Sequence, residues 1–286
     1  MSRWPNLFIV GAPKAGTHSL YELLKQHPSV YMSPRKEPYF FCRDIIADDD
    51  EFCNPIRDEK EYLKLFEDSK DEEILGEATV SYLADPNAAK RIKEKIPHAK
   101  ILIILRNPAD RAFSQYLGLL NHGFVKSPFS KAIEDDLERI KKNQVSWSIL
   151  FGGFYFEQIS RYMKIFNDQQ LKIIILDDFK KEPKKIMDEI TRFLSIKKFD
   201  FVMGQFGEYK PPRRKIITSV LGNKIITNAG KQIFSKKTRK TIFQNLALKN
   251  IEKPIMSIKD REKLNKIYKE DIEKTEDLLS RKLFWL

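Results

Sequence analysis

Residues 8–20 read FIVGAPKAGTHSL, and this stretch restricts the fold more tightly than any other. The apolar run Leu7 to Val10 has the composition of a buried strand. It passes into Gly11, Pro13, Lys14 and Gly16, and then into hydroxyl residues that begin an apolar-periodic segment. Strand, glycine loop and helix start in that order build a cradle for an oxyanion. Backbone N–H groups from Ala15 to Ser19 gather at a helix N-terminus, whose dipole favours negative charge. Lys14 adds a cation, and Thr17 and Ser19 add hydroxyl donors. The bland alternative is a strand–turn–helix corner with a surface lysine. The stretch also departs from the common nucleotide loop G-x-x-x-x-G-K-[ST], in which lysine follows the second glycine and a hydroxyl after it holds Mg²⁺. Here Lys14 lies inside the loop and Thr17-His18 follow Gly16, so the cradle lacks the metal-binding part.

The pattern downstream of the cradle alternates. Thr17 to about His27 reads as a helix with Leu20, Leu23 and Leu24 on one face, stopped by Pro28. A short strand SVYM leads into SPRKEPYFF, a loop that mixes charge with aromatics. Helices are expected at 59–67, 86–95, 130–141, 153–166, 183–194 and 257–281. EILGEAT, KILIILR (100–106) and LKIIIL (171–176) read as buried strands. NPADRAFSQYLGLL begins another helix, with Pro108 suited to its first turn. Alternation of this kind implies an α/β fold of three layers with a central, mostly parallel sheet. Ligands of such sheets sit beyond the carboxyl ends of the strands, where GAPKAGTHS and RNPADRAFS both fall.

Arg106 ends one of those buried strands, where a charge needs a partner, and Ser114 lies eight residues on in the following helix. Taken alone, they are an ion-paired arginine and an ordinary helical serine. Beside the first loop, they read as a second anion site on the same sheet edge. Two anion sites suggest a nucleotide with phosphate groups at two positions.

Composition bounds the rest. The 286 residues, 42% of them hydrophobic, suffice for one large core, and no linker or repeat divides them. The net charge of +12 calls for an anionic partner or a basic surface, and KKNQ, FKKEPKK and SKKTRK read as solvated faces carrying much of it. No apolar run approaches the roughly 18 residues of a membrane span. The N-terminal apolar stretch enters the glycine loop directly, which argues against a signal peptide. Cys42 and Cys53 have neither metal-site spacing nor a disulfide framework, as expected of reduced thiols in a cytoplasmic protein.

The residues carry a family resemblance. GAPKAGTHSL resembles the phosphosulfate-binding loop of sulfotransferases that use 3′-phosphoadenosine 5′-phosphosulfate (PAPS). ILRNPADRAFSQY is similar to their 3′-phosphate-binding strand and helix. HPSVYMSPRKEPYFF, GEATVSYL, GGFYFEQISRYMKIF and EITRFL follow in the family's order over roughly residues 6–200. LNKIYKEDIEKTEDLL…W is a weaker echo in the tail. The likeness is nearer to bacterial members and to the heparan-sulfate group than to the animal cytosolic enzymes.

This resemblance implies a P-loop-like fold in a single domain, 1–286, with a core at about 6–200 and a helical C-terminal part at about 210–286. It implies PAPS as donor, 3′-phosphoadenosine 5′-phosphate (PAP) as product, and no metal requirement. Lys14 would reach the bridging oxygen that becomes the leaving phosphate, a preorganised charge for the transition state. Ala15, Gly16, Thr17, His18 and Ser19 would complete the phosphosulfate loop, and Arg106 and Ser114 would hold the 3′-phosphate. Arg213 or Arg214, in YKPPRRKI, falls where relatives close a basic loop over the 3′-phosphate and adenine. Glu37 occupies the place of the catalytic base of the heparan-sulfate relatives; its other reading is a loop glutamate paired with Lys36 or Arg35. His18 and His122 are alternative bases or cleft residues.

Departures bear on the acceptor, a hydroxyl or amine. Ala78 stands where the heparan-sulfate enzymes have a substrate-contacting lysine, and their C-terminal disulfide is missing. Both tilt the expectation toward a small metabolite, alkaloids included, with a bacterial polysaccharide or glycolipid as the alternative. An NTP-using P-loop kinase and a non-enzymatic nucleic-acid binder are the competing classes. The displaced lysine argues against the first. The lack of aromatics interleaved with a basic run argues against the second.

Overall fold

The computed structural model describes residues 3–47, 50, 53–204 and 255–286. Five strands, β1 (Leu7–Gly11), β2 (Val30–Met32), β3 (Ile74–Ala78), β4 (Lys100–Leu105) and β5 (Leu171–Ile175), form one sheet in the order β2-β3-β1-β4-β5. Every neighbouring pair is parallel. All five residues of β1 and of β3 are buried, as the continuous apolar runs require of a sheet covered on both faces.

Helices occupy the connections: α1 (Thr17–Leu24), α2 (Glu59–Lys64), α3 (Ala88–Lys95), α4 (Pro108–His122), α5 (Phe129–Lys141), α6 (Tyr155–Ile165), α7 (Leu176–Lys181), α8 (Pro183–Leu194) and α9 (Ile258–Leu278). Leu20, Leu23 and Leu24 of α1 are buried, each worth about 2 kcal/mol against exposure. α1 ends three residues before the expected His27, because residues 25–27 close as tight turns ahead of Pro28. The short α7 was not expected. Its leucine extends the apolar run of β5, but Leu176 already begins a helix carrying Asp177 and Asp178 in its first turn, where the dipole favours acid.

The order of the strands places the site. β1 and β4 are neighbours, yet the chain leaves β1 toward β2 and leaves β4 toward β5. The connections diverge and open a crevice at the carboxyl ends of these two strands. Ala12 N–H donates to Ile104 O at 2.8 Å and ties the start of the glycine loop to β4 at its floor.

The C-terminal helix is anchored across α4 and α6. Asp271 of α9 accepts from the N–H groups of Tyr155 (2.7 Å) and Phe156 (3.2 Å), capping α6 from outside its own chain segment. Burial raises that carboxyl to about 6. After α9, Arg281 makes a two-pronged pair with Asp178, and the Trp285 carbonyl accepts from Asn107 Nδ2 at 2.9 Å.

Candidate active site

The crevice widens into a cleft of about 1150 Å³. Its floor is the glycine loop. Gly16 holds φ 96°, which calls for glycine, and a Cβ there would lie 2.8 Å from Leu176 Cδ1, so that leucine would have to shift. No side chain caps α1, which leaves the amides of its first turn facing the cleft beside the Thr17 and Ser19 side chains.

Lys14 takes left-handed backbone geometry, φ 64°, and sends its side chain across the cleft to α4. A methyl on Gly118 would stand 3.0 Å from Lys14 Nζ, so the ammonium rests on the bare backbone of that helix. The side chain is open to the cleft but walled by protein. That desolvation pulls its pKa below the ordinary lysine value, with Arg111 and Lys36 adding to the shift and Glu37 opposing it.

Arg106, just after β4, donates from Nη1 to the Lys14 carbonyl at 3.0 Å, while Tyr155 Oη donates to the Arg106 carbonyl at 2.8 Å. Ser114, two turns into α4, lines the same wall. Lys14, Gly16, Thr17, His18, Ser19, Arg106 and Ser114, read from the sequence as two neighbouring anion sites, all line one cleft. Among the described residues no carboxylate pairs with Lys14, Arg106 or the cleft-lining Lys180, whereas Arg261 is paired with Asp110. Ala15 is buried beneath the loop, and its N–H closes back on the Ala12 carbonyl at 3.3 Å.

Glu37 lies on the opposite wall. It and Tyr39 both adopt left-handed backbone, φ 61° and 58°, held by Glu37 N–H to Ala78 O (2.9 Å) and Arg57 Nη1 to Tyr39 O (2.7 Å). Its Oε1 accepts from Lys36 Nζ at 2.6 Å and its Oε2 from Val80 N–H at 3.0 Å, both side chains being 23% exposed. The pairing with Lys36 weighed from sequence is thus present, on a carboxylate that faces the cleft. Behind it Glu77, fully buried, accepts from the hydroxyls of Tyr62 (2.6 Å), Thr79 (2.9 Å) and Tyr82 (3.0 Å). Burial still lifts Glu77 to about 7, against those three donors.

The two histidines separate. His18 lines the cleft from the first turn of α1, its ring parallel to Tyr21. His122 ends α4, exposed, and is not among the lining residues. Its ring lies against Phe124, whose own ring stacks on the lining Trp147 at 5.9 Å. Arg213 and Arg214 fall outside the described residues.

Sequence reasoning missed Gly118, Lys180, Trp147 and Arg111. The signal for Arg111 was present: Arg111, Gln115 and Gly118 share a row on the buried face of α4, where a cation is out of place.

The fit to a doubly anionic nucleotide rests on these cations without a described carboxylate partner, the uncapped helix start and the glycine backbone at Gly16. Among the described residues no cluster of His, Cys, Asp or Glu could hold a metal ion. No described helix is long and apolar enough to cross a membrane.

A family model described as a sulfotransferase domain matches residues 5–276. The bifunctional heparan sulfate N-deacetylase/N-sulfotransferase 1 of Caenorhabditis briggsae is 28% identical over 211 residues, covering 69% of this chain and 23% of that protein. The human bifunctional heparan sulfate N-deacetylase/N-sulfotransferase 3 is 30% identical, covering 68% and 22%. This chain thus spans under a quarter of the length of these relatives. A crystal structure of a sulfotransferase from Alicyclobacillus acidocaldarius superposes with a TM-score of 0.76 at 31% identity, covering 99% of both chains. Mouse SULT7A1, crystallised with PAP, shares the fold with a TM-score of 0.51 at 16% identity.

Proposed function

Since the chain belongs to the sulfotransferase family, we propose that it transfers a sulfuryl group from PAPS to a hydroxyl or amine acceptor by a single in-line displacement. The observation that carries this reading is the pair of cations Lys14 and Arg106, neither ion-paired with a described carboxylate, set beside the uncapped start of α1 in one cleft. The α1 amides with Thr17 and Ser19 would hold the phosphosulfate end, and Arg106 with Ser114 the 3′-phosphate. The donor, when bound, supplies the sulfuryl group. Lys14 Nζ places its charge where the leaving oxygen gathers negative charge, in a walled site where such a charge acts strongly. Glu37 is the base: an attacking hydroxyl must lose a proton, and Oε1 becomes free to take it once Lys36 swings aside.

For the acceptor we favour a small metabolite. Support comes from Ala78, a small buried residue where the heparan-sulfate relatives carry a lysine, and from the apolar walls of Tyr39, Ile45, Ile46 and Trp147. The glycan reading is favoured by a different observation, the heparan sulfate enzymes among the relatives.

Two measurements test the reading. PAP should raise the melting temperature by mass action on the native state, and adenosine 5′-phosphate should do much less because it leaves Arg106 and Ser114 without a ligand. Equal shifts would remove the 3′-phosphate site. A screen of hydroxylated small molecules and of oligosaccharides with PAPS, read as the mass gain of one sulfuryl group, then decides the acceptor. Product from the oligosaccharides alone would overturn the small-molecule choice.

A further inference from the structure

Arg111 is the largest fully buried side chain in the described residues, with no exposed surface. Its Nη2 donates to the Ile149 carbonyl. Nε and Nη1 make no hydrogen bond of good geometry among the described residues, although the Tyr268 hydroxyl lies close enough to interact with the guanidinium, and no described carboxylate forms an ion pair with it. A charge in such a place is costly, since burial removes its hydration and, among the described residues, returns polar contacts but no counter-charge.

Its position gives the reason. A methyl on Gly152 would stand 3.1 Å from Arg111 Nη1 and 3.2 Å from Pro13 Cγ, so one bare glycine separates the guanidinium from the proline of the cradle. Gly152 and Pro13 both line the cleft. The Tyr268 hydroxyl, beside the guanidinium, donates to the Leu150 carbonyl at 2.8 Å and holds the segment against α9. Arg111 thus sits behind the cradle wall, close enough to Lys14 and Arg106 for its charge to act on both.

We infer that Arg111 is a positioning residue whose buried, unpaired guanidinium is left for the anionic ligand of the cradle to neutralise, a cost to the empty fold that tightens nucleotide binding. The inference rests on the nucleotide reading above. It assigns Arg111 no contact with the ligand: its field crosses a thin, low-dielectric wall, where charges are poorly screened. It also explains why the wall is glycine, since a side chain at 152 would push the guanidinium away.

The test is Arg111→Met, which keeps volume and removes charge, beside Arg111→Lys, which keeps charge. The ligand-free Met variant should melt at or above the parent temperature, bind PAP about tenfold more weakly or worse, and gain less in melting temperature from PAP. The Lys variant should recover most of the affinity. A Met variant that fails to fold, or melts below the parent, makes Arg111 a structural strut and overturns the inference. So does a PAP affinity equal to the parent's. If PAP does not stabilise the parent, the nucleotide reading fails and this inference with it; if PAP stabilises parent and Met variant equally, only the inference fails.

Discussion

Arg111 and Glu77 are both fully buried ionisable groups behind the same cleft, and they are treated oppositely. Glu77 accepts three hydroxyl hydrogen bonds from Tyr62, Thr79 and Tyr82. Arg111 keeps one carbonyl, and two of its nitrogens make no hydrogen bond of good geometry among the described residues. The contrast runs through the two walls. On the acidic side Glu37 is satisfied by Lys36 and Val80, whereas on the basic side Lys14, Arg106 and Lys180 have no carboxylate partner among the described residues. A wall whose charges are already met is self-supporting; a wall whose charges are not met is built for a ligand of opposite sign.

The sharpest way to break the contrast is to ask whether Glu37 is only self-satisfied. Glu37→Gln keeps shape but takes no proton. Single-turnover sulfation should fall by about 10²–10⁴-fold, with PAP affinity nearly unchanged. The loss should shrink for an acceptor whose hydroxyl is already acidic. A small, uniform loss across acceptors would make Glu37 the partner of Lys36 and nothing more.

On the basic wall, Lys14→Ala should lower turnover by about 10²–10³-fold, the usual cost of one preorganised donor, and leave PAP binding weakened but measurable. Parental turnover with only a raised KM would mark Lys14 as an anchor. A finer probe leaves Lys14 in place. Gly118→Ala sets a methyl 3.0 Å from its Nζ, at the flexible end of a side chain that can yield. Turnover should drop about tenfold from so small a displacement of the reacting charge. The melting temperature should hold or rise, because alanine favours a helix by about 1 kcal/mol over glycine. Loss of stability and activity together would count against the placement of the ammonium.

The smallest effect concerns Glu77. Burial raises its carboxyl to about 7 in the fold, above the ~4.3 of an unfolded glutamate. The native state therefore holds the proton more tightly. The stability this contributes is complete below the unfolded pKa and is lost as pH rises through about 7. The parent's melting temperature should decline by a few degrees between pH 5 and pH 8, and Glu77→Gln should flatten that decline. Equal slopes would mean that the three hydroxyls hold Glu77 ionised throughout, which would sharpen the contrast with Arg111.

Local pattern determined much of this protein. The apolar runs at 7–10 and 100–105 read as buried strands and are so. The run at 171–175 is a strand too, but at the sheet edge only Ile174 and Ile175 are fully buried. The glycines with Lys14 between β1 and α1 form a tight turn opening on a helix start. Such features depend on neighbours within a few residues, so sequence carries them whole. It also carried Arg106, Ser114 and Glu37 to the cleft, through the resemblance of their surroundings. What it could not carry was which distant charges meet. That Lys14 rests on Gly118, that Tyr155 holds the carbonyl of Arg106, and that His122 stops at the rim follow from strand order and helix length. The end of β5 went the same way: Leu176 continues the apolar run, yet it packs against Gly16 as the first residue of a helix. Arg111 is the clearest case. In sequence it is one of 52 basic residues in a chain of net charge +12. Only the packing of α4 against the cradle decides that this one is cut off from water and, among the described residues, left without a carboxylate, because burial and pairing are properties of the assembled layers.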